Sequence, residues 1–181
     1  MENLGKAIFE HYEKYLGEMI GADSYPAQNI QLMGYQDQLH NCLTFATMGL
    51  SLHEKELGCC CELVLTTDRD FDGCADILMS AVSFILKSGL PVGPGLAVNG
   101  LPEPFQQEHR KAALYVAEAT MFTPAFARVG EACRIYMAFF LTPEEEACLH
   151  KHGAGKLEQL LEEKKADIID PDRESVCGWD A

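Results

Sequence analysis

Apolar residues recur with a helical period at the start of the chain. They appear every three or four positions over residues 1–21, and charged residues fall between them. This pattern predicts an amphipathic N-terminal helix over 1–21 that ends near Gly21. The apolar positions are Leu4, Ile8, Tyr12, Tyr15, Leu16, Met19 and Ile20.

Strand and helix patterns follow in the first half of the chain. Three apolar or alternating runs predict strands, and a polar loop over 34–40 separates the first two. A longer apolar stretch at 74–88 stops before Gly89 and predicts a buried helix. The predicted strands are 30–33, 42–48 and 60–66.

The second half adds strands and then helices. Glycines and prolines over 91–104 predict a turn-rich connection that contains a short extended piece at 96–99. Thr142 followed by Pro143 and Glu145 predicts a capping box that starts a helix. The remaining predicted elements are strands at 113–121 and 132–141, the capped helix up to Gly153 and a last helix at 156–165.

This order of helix, strands, helix, strands and helices predicts an α+β fold with a mainly antiparallel or mixed sheet packed by helices. The length of 181 residues fits one domain over 1–181. Within it we expect a core at 30–166 after the N-terminal helix, and a polar tail at 167–181. The pattern leaves open whether Trp179 in that tail is exposed or docked.

Composition adds a strong negative charge to this picture. Lys and Arg number 14 and Asp and Glu number 28, so the net charge is −14, while 48% of residues are hydrophobic. The apolar fraction excludes general disorder. The acidity disfavours nucleic acid and membrane surfaces as partners and favours a basic protein.

Two segments hold most of the negative charge. Residues 54–76 and 144–174 each sum to −5, whereas 77–142 sum to +1. These segments are either an acidic docking surface or ordinary solvated surface, and the sequence leaves both interpretations open. The candidate partner-binding residues are Glu54, Glu56, Asp68, Asp70 and Asp72.

Targeting and metal-binding patterns are weak. No uninterrupted apolar signal region or membrane-length window is visible, so we expect a soluble cytoplasmic protein with reduced cysteines. The consecutive Cys59, Cys60 and Cys61 form no C-x-x-C motif, and Cys148 with His152 supplies too few ligands for structural zinc. An acidic loop beginning at Asp68 lacks the closing glutamate of a calcium loop. We therefore expect no metal and no cofactor.

No catalytic pattern stands out either. Ser51 with His53, and Cys42 with His40, lie two residues apart, and neither pair fits a nucleophile elbow. A triad is recognised by a geometry that such close neighbours seldom provide. The sequence predicts a protein without enzymatic activity. A thiol- or metal-dependent small enzyme or ligand-binding protein remains the alternative.

The segment 43–51, Leu-Thr-Phe-Ala-Thr-Met-Gly-Leu-Ser, followed by Glu-Leu-Val-Leu at 62–65, resembles the signature of the Suppressor of fused family. In that family a strand that ends in T-x-G-[ML]-S precedes a strand that opens with Glu-Leu. The resemblance continues at Pro94 and Gly95, at Phe140-Leu141-Thr142-Pro143 and at Asp170-Pro171-Asp172-Arg173.

The resemblance implies an interaction domain without catalytic residues. The founding animal member restrains hedgehog signalling by holding a zinc-finger transcription factor, and bacterial single-domain relatives are thought to act largely as immunity proteins against polymorphic toxins. This chain looks like the bacterial type, which implies neutralisation of a basic toxin. The family-motif residues Thr47, Gly49, Ser51 and Glu62 are expected to shape the fold first.

Overall fold

The computed structural model describes residues 4–37, 42–68 and 73–178. None of the helices in these ranges is long and apolar enough to span a bilayer. The helices are α1 (Leu4–Leu16), α2 (Glu54–Leu57), α3 (Cys74–Ser88), α4 (Glu103–His109), α5 (Pro143–His152) and α6 (Ala154–Glu163). The strands are β1 (Met19–Tyr25), β2 (Ile30–Asp37), β3 (Cys42–Met48), β4 (Cys61–Thr67), β5 (Ala97–Asn99), β6 (Ala113–Glu118), β7 (Arg128–Val129) and β8 (Cys133–Leu141). A 3-10 helix at Leu50–His53 precedes α2.

The strands form one mixed sheet in the order β1-β2-β3-β4-β8-β6-β5, and β7 pairs with the start of β8. The central pair β4 and β8 is parallel, and the other pairs are antiparallel. This architecture confirms the expected α+β class.

Both faces of the sheet are covered, which explains the continuous apolar sequence of β8. Its odd-numbered residues from Ile135 to Leu141 pack with α1, α5 and α6, and its even-numbered residues from Tyr136 to Phe140 pack with α3 and α4. Successive side chains of a strand point to opposite faces, so a central strand covered on both faces needs an apolar residue at nearly every position.

Five elements differ from the sequence-based expectation. The first helix ends at Leu16, and Met19–Tyr25 forms strand β1, so the expected helix end near Gly21 is corrected. Strand β1 lies at the sheet edge and is mostly exposed, so it carries no apolar alternation that would predict a strand. Strand β2 extends into the expected loop as far as Asp37, and α4 and β7 are too short to leave a periodic pattern.

A buried ion pair fixes the chain after α6. Glu145 Oε1 and Oε2 accept hydrogen bonds from Arg173 Nη1 at 2.5 Å and Nη2 at 2.7 Å. Arg173 also donates to the Phe140 carbonyl at 2.9 Å, and Glu145 accepts from the Val176 amide at 2.9 Å. Burial acts to raise the pKa of Glu145, but Arg173 outweighs it and holds that pKa below its ordinary value.

The described part of the expected polar tail is therefore docked on the domain. Pro171, Val176 and Cys177 are buried alongside Arg173. Trp179 lies outside the described residues.

Lys111, two residues before β6, extends the same network. Its side chain is buried, and Nζ donates to the Arg173 carbonyl at 2.7 Å. Burial, and then the positive charge of Arg173, lower the pKa of Lys111 to about 8.

We expect Arg173→Ala to lower the free energy of unfolding by about 3 kcal/mol, because it leaves the buried Glu145 carboxylate without its cation. Urea denaturation at pH 7 measures the loss. Arg134→Ala is the control, since Arg134 pairs with Glu118 at 3.7 Å on the surface. An exposed pair contributes less than about 1 kcal/mol. Equal losses in the two variants would contradict the importance of the buried pair.

The lowered pKa of Lys111 predicts a pH dependence of stability. Between about pH 8 and pH 10, the unfolded lysine, with a pKa near 10.4, still binds the proton that the folded lysine has released. Stability from this group therefore rises with pH, and the difference between the wild type and Lys111→Met should increase by about 2 kcal/mol over that window. Urea unfolding at several pH values tests this. Lys165→Met, at an exposed lysine, should show no such trend.

Candidate functional site

The carboxylate of Glu62, near the start of β4, lies at the centre of the family-motif residues. Its Oε1 accepts hydrogen bonds from the Gly49 amide at 3.0 Å and the Ser51 amide at 3.1 Å. Its Oε2 accepts from Thr47 Oγ1 at 2.6 Å and from the Leu50 amide at 3.2 Å. One side chain thus holds the end of β3 and the first turn of the 3-10 helix.

Neighbouring contacts fix Thr47 and Gly49 in this arrangement. Thr47 Oγ1 accepts from the Leu63 amide at 2.9 Å, and the Thr47 carbonyl accepts from the Tyr12 hydroxyl at 3.0 Å. Gly49 has φ 108°, and a Cβ at that position would lie 2.6 Å from the Asn29 carbonyl oxygen. Only glycine fits both the left-handed conformation and the close backbone approach.

The environment of Glu62 does not suit proton transfer to a substrate. Burial raises the pKa of Glu62, and the hydrogen bonds from Thr47, Ser51 and Gly49 act in the opposite direction. The side chain is fully buried, and both oxygens accept bonds from the protein itself. The cluster of Thr47, Gly49, Ser51 and Glu62 has the geometry of an internal anchor for the chain.

Of the acidic residues expected to bind a partner, the structure describes Glu54, Glu56 and Asp68. Glu54 and Glu56 are exposed on α2, before the start of β4. Asp68 is half-buried after the end of β4, and its amide donates to the Ile169 carbonyl at 3.1 Å. The seven residues of β4 separate the two groups by about 20 Å. Asp70 and Asp72 lie outside the described residues.

Of the two pairs considered for nucleophilic catalysis, the structure describes both members only for Ser51 and His53, and these two are not assembled. Ser51 is buried at the Glu62 anchor, while His53 Nε2 lies 2.7 Å from the Gln28 carbonyl. Cys42 is buried in β3, and its sequence neighbour His40 falls outside the described residues.

The cysteines are free thiols, and burial disfavours reaction at three of them. None forms a disulfide in the part of the chain that the structure describes. Burial raises the pKa of Cys60, Cys61 and Cys133, and this lowers the fraction present as the reactive thiolate. Within residues 4–37, 42–68 and 73–178, no three His, Cys, Asp or Glu side chains converge as metal ligands.

The structure brings together three glutamates that were not singled out from the sequence. Glu118 at the end of β6, and Glu158 and Glu162 on α6, line one groove of about 540 Å³. The spacing of Glu158 and Glu162 by four residues was visible as one helical face. Nothing in the sequence indicated that Glu118 would join them, because that contact depends on how α6 packs across the sheet.

The model of the family described as Suppressor of fused protein (SUFU) matches residues 26–174 of this chain. The chain belongs to the Suppressor of fused family. The match includes both the Glu62 anchor and the Glu145–Arg173 pair, and it confirms the family resemblance found in the sequence.

Two solved structures share the SUFU fold with this chain. A SUFU homologue from Neisseria gonorrhoeae FA 1090 is 14% identical, with a TM-score of 0.80 over 96% of this chain and 97% of the homologue. A chain from the Sufu–Fu complex is 13% identical, with a TM-score of 0.62 over 96% of this chain and 90% of the other. No curated protein matches the chain significantly.

The geometry at Gly49 predicts a local requirement for glycine. Gly49→Ala should lower the free energy of unfolding by about 3 kcal/mol, because it combines a strained φ with a clash against the Asn29 carbonyl. Gly130→Ala is the control, since Gly130 also has a positive φ, of 60°, but no atom within 4 Å of the added Cβ. Chemical denaturation should give about 1 kcal/mol for that variant. Equal losses would show that the close approach is unimportant.

Proposed function

We propose that this SUFU-family chain is a non-enzymatic protein-binding domain that acts as an immunity protein. Its partner would be a basic toxin domain, and binding would mask the toxin's active site. The observation that carries the proposal is the exposure of acidic side chains on a domain of this family. Exposed acids on α2, α3 and α6 are Glu54, Glu56, Asp76, Glu158, Glu162 and Glu163.

A solved relative supports the protein-binding part of the proposal. The chain of the Sufu–Fu complex has the same fold and was solved together with another protein. For the present chain we infer the same general role, contact with a protein. The net charge of the chain then indicates a basic partner.

The anchors support the absence of catalysis. The buried carboxylates of Glu62 and Glu145 are both occupied by hydrogen bonds within the domain. The raised pKa of Cys60 and of Cys133 disfavours thiolate chemistry. Each of these groups has a role in packing or in holding the chain, so no observation favours the thiol or metal enzyme considered from the sequence.

The net charge of −14 favours a basic partner for a kinetic reason. Complementary charge steers encounter and raises association rates well above those of uncharged partners. A nuclease toxin fits this description, because a protein that contacts the phosphates of nucleic acid presents lysine and arginine at its active face. An acidic domain could cover that face and exclude the nucleic acid.

Co-expression tests the proposed function directly. Each protein encoded beside this gene is expressed in a heterologous host with and without the present chain. We expect one of them to arrest growth alone and to be neutralised by the chain, with a stable complex on co-purification. Growth arrest by a neighbouring toxin that the chain neither relieves nor binds would refute the immunity function, and so would the absence of any toxic neighbour.

Charge reversal locates the contact on that complex. The acids that precede and follow β4 in the sequence are tested separately, with Glu54→Lys plus Glu56→Lys in one variant and Asp70→Lys plus Asp72→Lys in another. The variant whose altered residues contact the partner should associate with it at least fivefold more slowly, and this association rate should depend less on salt concentration. Glu103→Lys plus Glu108→Lys, on exposed residues of α4, makes the same change in net charge. Stopped-flow rates equal to that control in both variants would place the contact elsewhere.

A further inference from the structure

A groove between α6 and the sheet has an apolar floor and an acidic rim. Its floor includes Met137 and Phe139 of β8, which are almost fully buried, and Ile168 after α6. Its rim includes Glu118, Glu158 and Glu162. These three glutamates are exposed, whereas the floor belongs to the core on the α5 and α6 face.

We propose that this groove binds an arginine side chain presented by a protein partner. The proposal rests on the proposed function and deepens it, because it names one particular contact of the partner, on the α6 face. The two features of the groove correspond to the two parts of an arginine side chain. Its methylene stem packs on apolar surface while its guanidinium reaches the carboxylates at the rim.

The rim carboxylates are suitably placed for one shared cation. Glu158 and Glu162 are one helical turn apart, so their side chains project from the same face of α6. The Tyr115 hydroxyl donates to Glu158 Oε1 at 2.7 Å and holds that carboxylate beside the groove. A planar guanidinium with five donors can bridge two such groups, which a lysine ammonium does less well.

The charges already near the rim leave the site acidic. Arg134 Nη1 lies 3.7 Å from Glu118 Oε1, but both side chains are half-exposed and such a pair is weak. Lys164 at the end of α6 donates to the Val176 carbonyl at 2.8 Å, which holds its ammonium at the docked C-terminal segment. An incoming cation would compete with the exposed Arg134 for Glu118.

The groove is large enough to accept an arginine side chain. A volume of about 540 Å³ lies in the range of sites for small ligands, roughly 300 to 1,000 Å³. Buried arginine anchors are frequent among the few residues that dominate binding energy at protein interfaces. One arginine in this groove would therefore act as an anchor within a larger contact.

Short peptides test the groove without knowledge of the partner. The probes are acetylated and amidated Ala-Leu-X-Leu-Ala peptides in which X is arginine, lysine or citrulline, the neutral analogue of arginine. We expect saturable NMR shifts at Ala117, Met137 and Ile168 with the arginine peptide. Lysine should bind more weakly, and citrulline should bind at least tenfold more weakly than arginine.

Adjacent glutamates on α6 provide matched variants. Glu162→Lys should weaken binding of the arginine peptide at least fivefold, because Glu162 lines the groove. Glu163→Lys makes the same charge change at the next residue, which accepts a hydrogen bond from Gln159 at 2.7 Å and does not line the groove. It should change the affinity less than twofold. Glu118→Gln gives a second, milder test at the opposite rim.

Several outcomes would overturn the proposal. NMR shifts that do not saturate with the arginine peptide, or that map to residues away from the groove, would contradict it. Equal losses of peptide affinity in Glu162→Lys and Glu163→Lys would also contradict it. Equal binding of citrulline and arginine would indicate an apolar occupant instead. If the chain rescues growth but does not bind the arginine peptide, only the groove proposal is refuted. If the chain binds the arginine peptide but neutralises no neighbouring toxin, only the proposed immunity function is refuted.

Discussion

The structure depends on the burial of its two central strands on both faces. Every residue of β4 is buried, and so is all of β8 apart from Arg134. Because these strands are parallel neighbours, the chain must cross back to the starting end of the sheet between them, and it does so through α3, β5, α4 and β6. The irregular turn before β4 and the irregular segment after α6 are each held by a buried carboxylate. Glu62, in β4, holds the turn, and Glu145, just after β8, holds the segment, so the two carboxylates lie at opposite ends of the central strands.

The buried carboxyl groups of Glu62 and Glu145 are stabilised in different ways. Glu62 is surrounded by neutral donors from Thr47 and from the amides of the 3-10 helix, and burial keeps its pKa raised. Glu145 faces a buried guanidinium, and its pKa is lowered. An unpaired buried charge is far less stable than either arrangement. Neutral donors at the first site shape a turn within 16 residues, from Thr47 to Glu62, whereas the ion pair joins segments 28 residues apart.

The elements that the sequence predicted well are those with a strong local signal. The capping box at Thr142 and the apolar run of β8 needed no knowledge of the partners they pack against. Strand β1 was not predicted, because a strand exposed at a sheet edge lacks the alternation of apolar and polar residues on which strand prediction rests. The pairing of Arg173 with Glu145 was not predicted either, because charge type and sequence spacing do not reveal which charged groups become buried.

The interior anchors also determine what the surface can do. The segment that follows α6 lines the groove with Ala166 and Ile168 and then reaches Arg173 and Val176. Lys164 ties the end of α6 to the same segment through the Val176 carbonyl. The ion pair therefore fixes one wall of the groove relative to β8, which supplies its floor. Preorganisation of this kind lowers the entropic cost of ordering a binding site when a partner docks. The net negative charge indicates only the sign of the proposed partner, whereas the shape of the proposed groove depends on where the buried pair holds the chain.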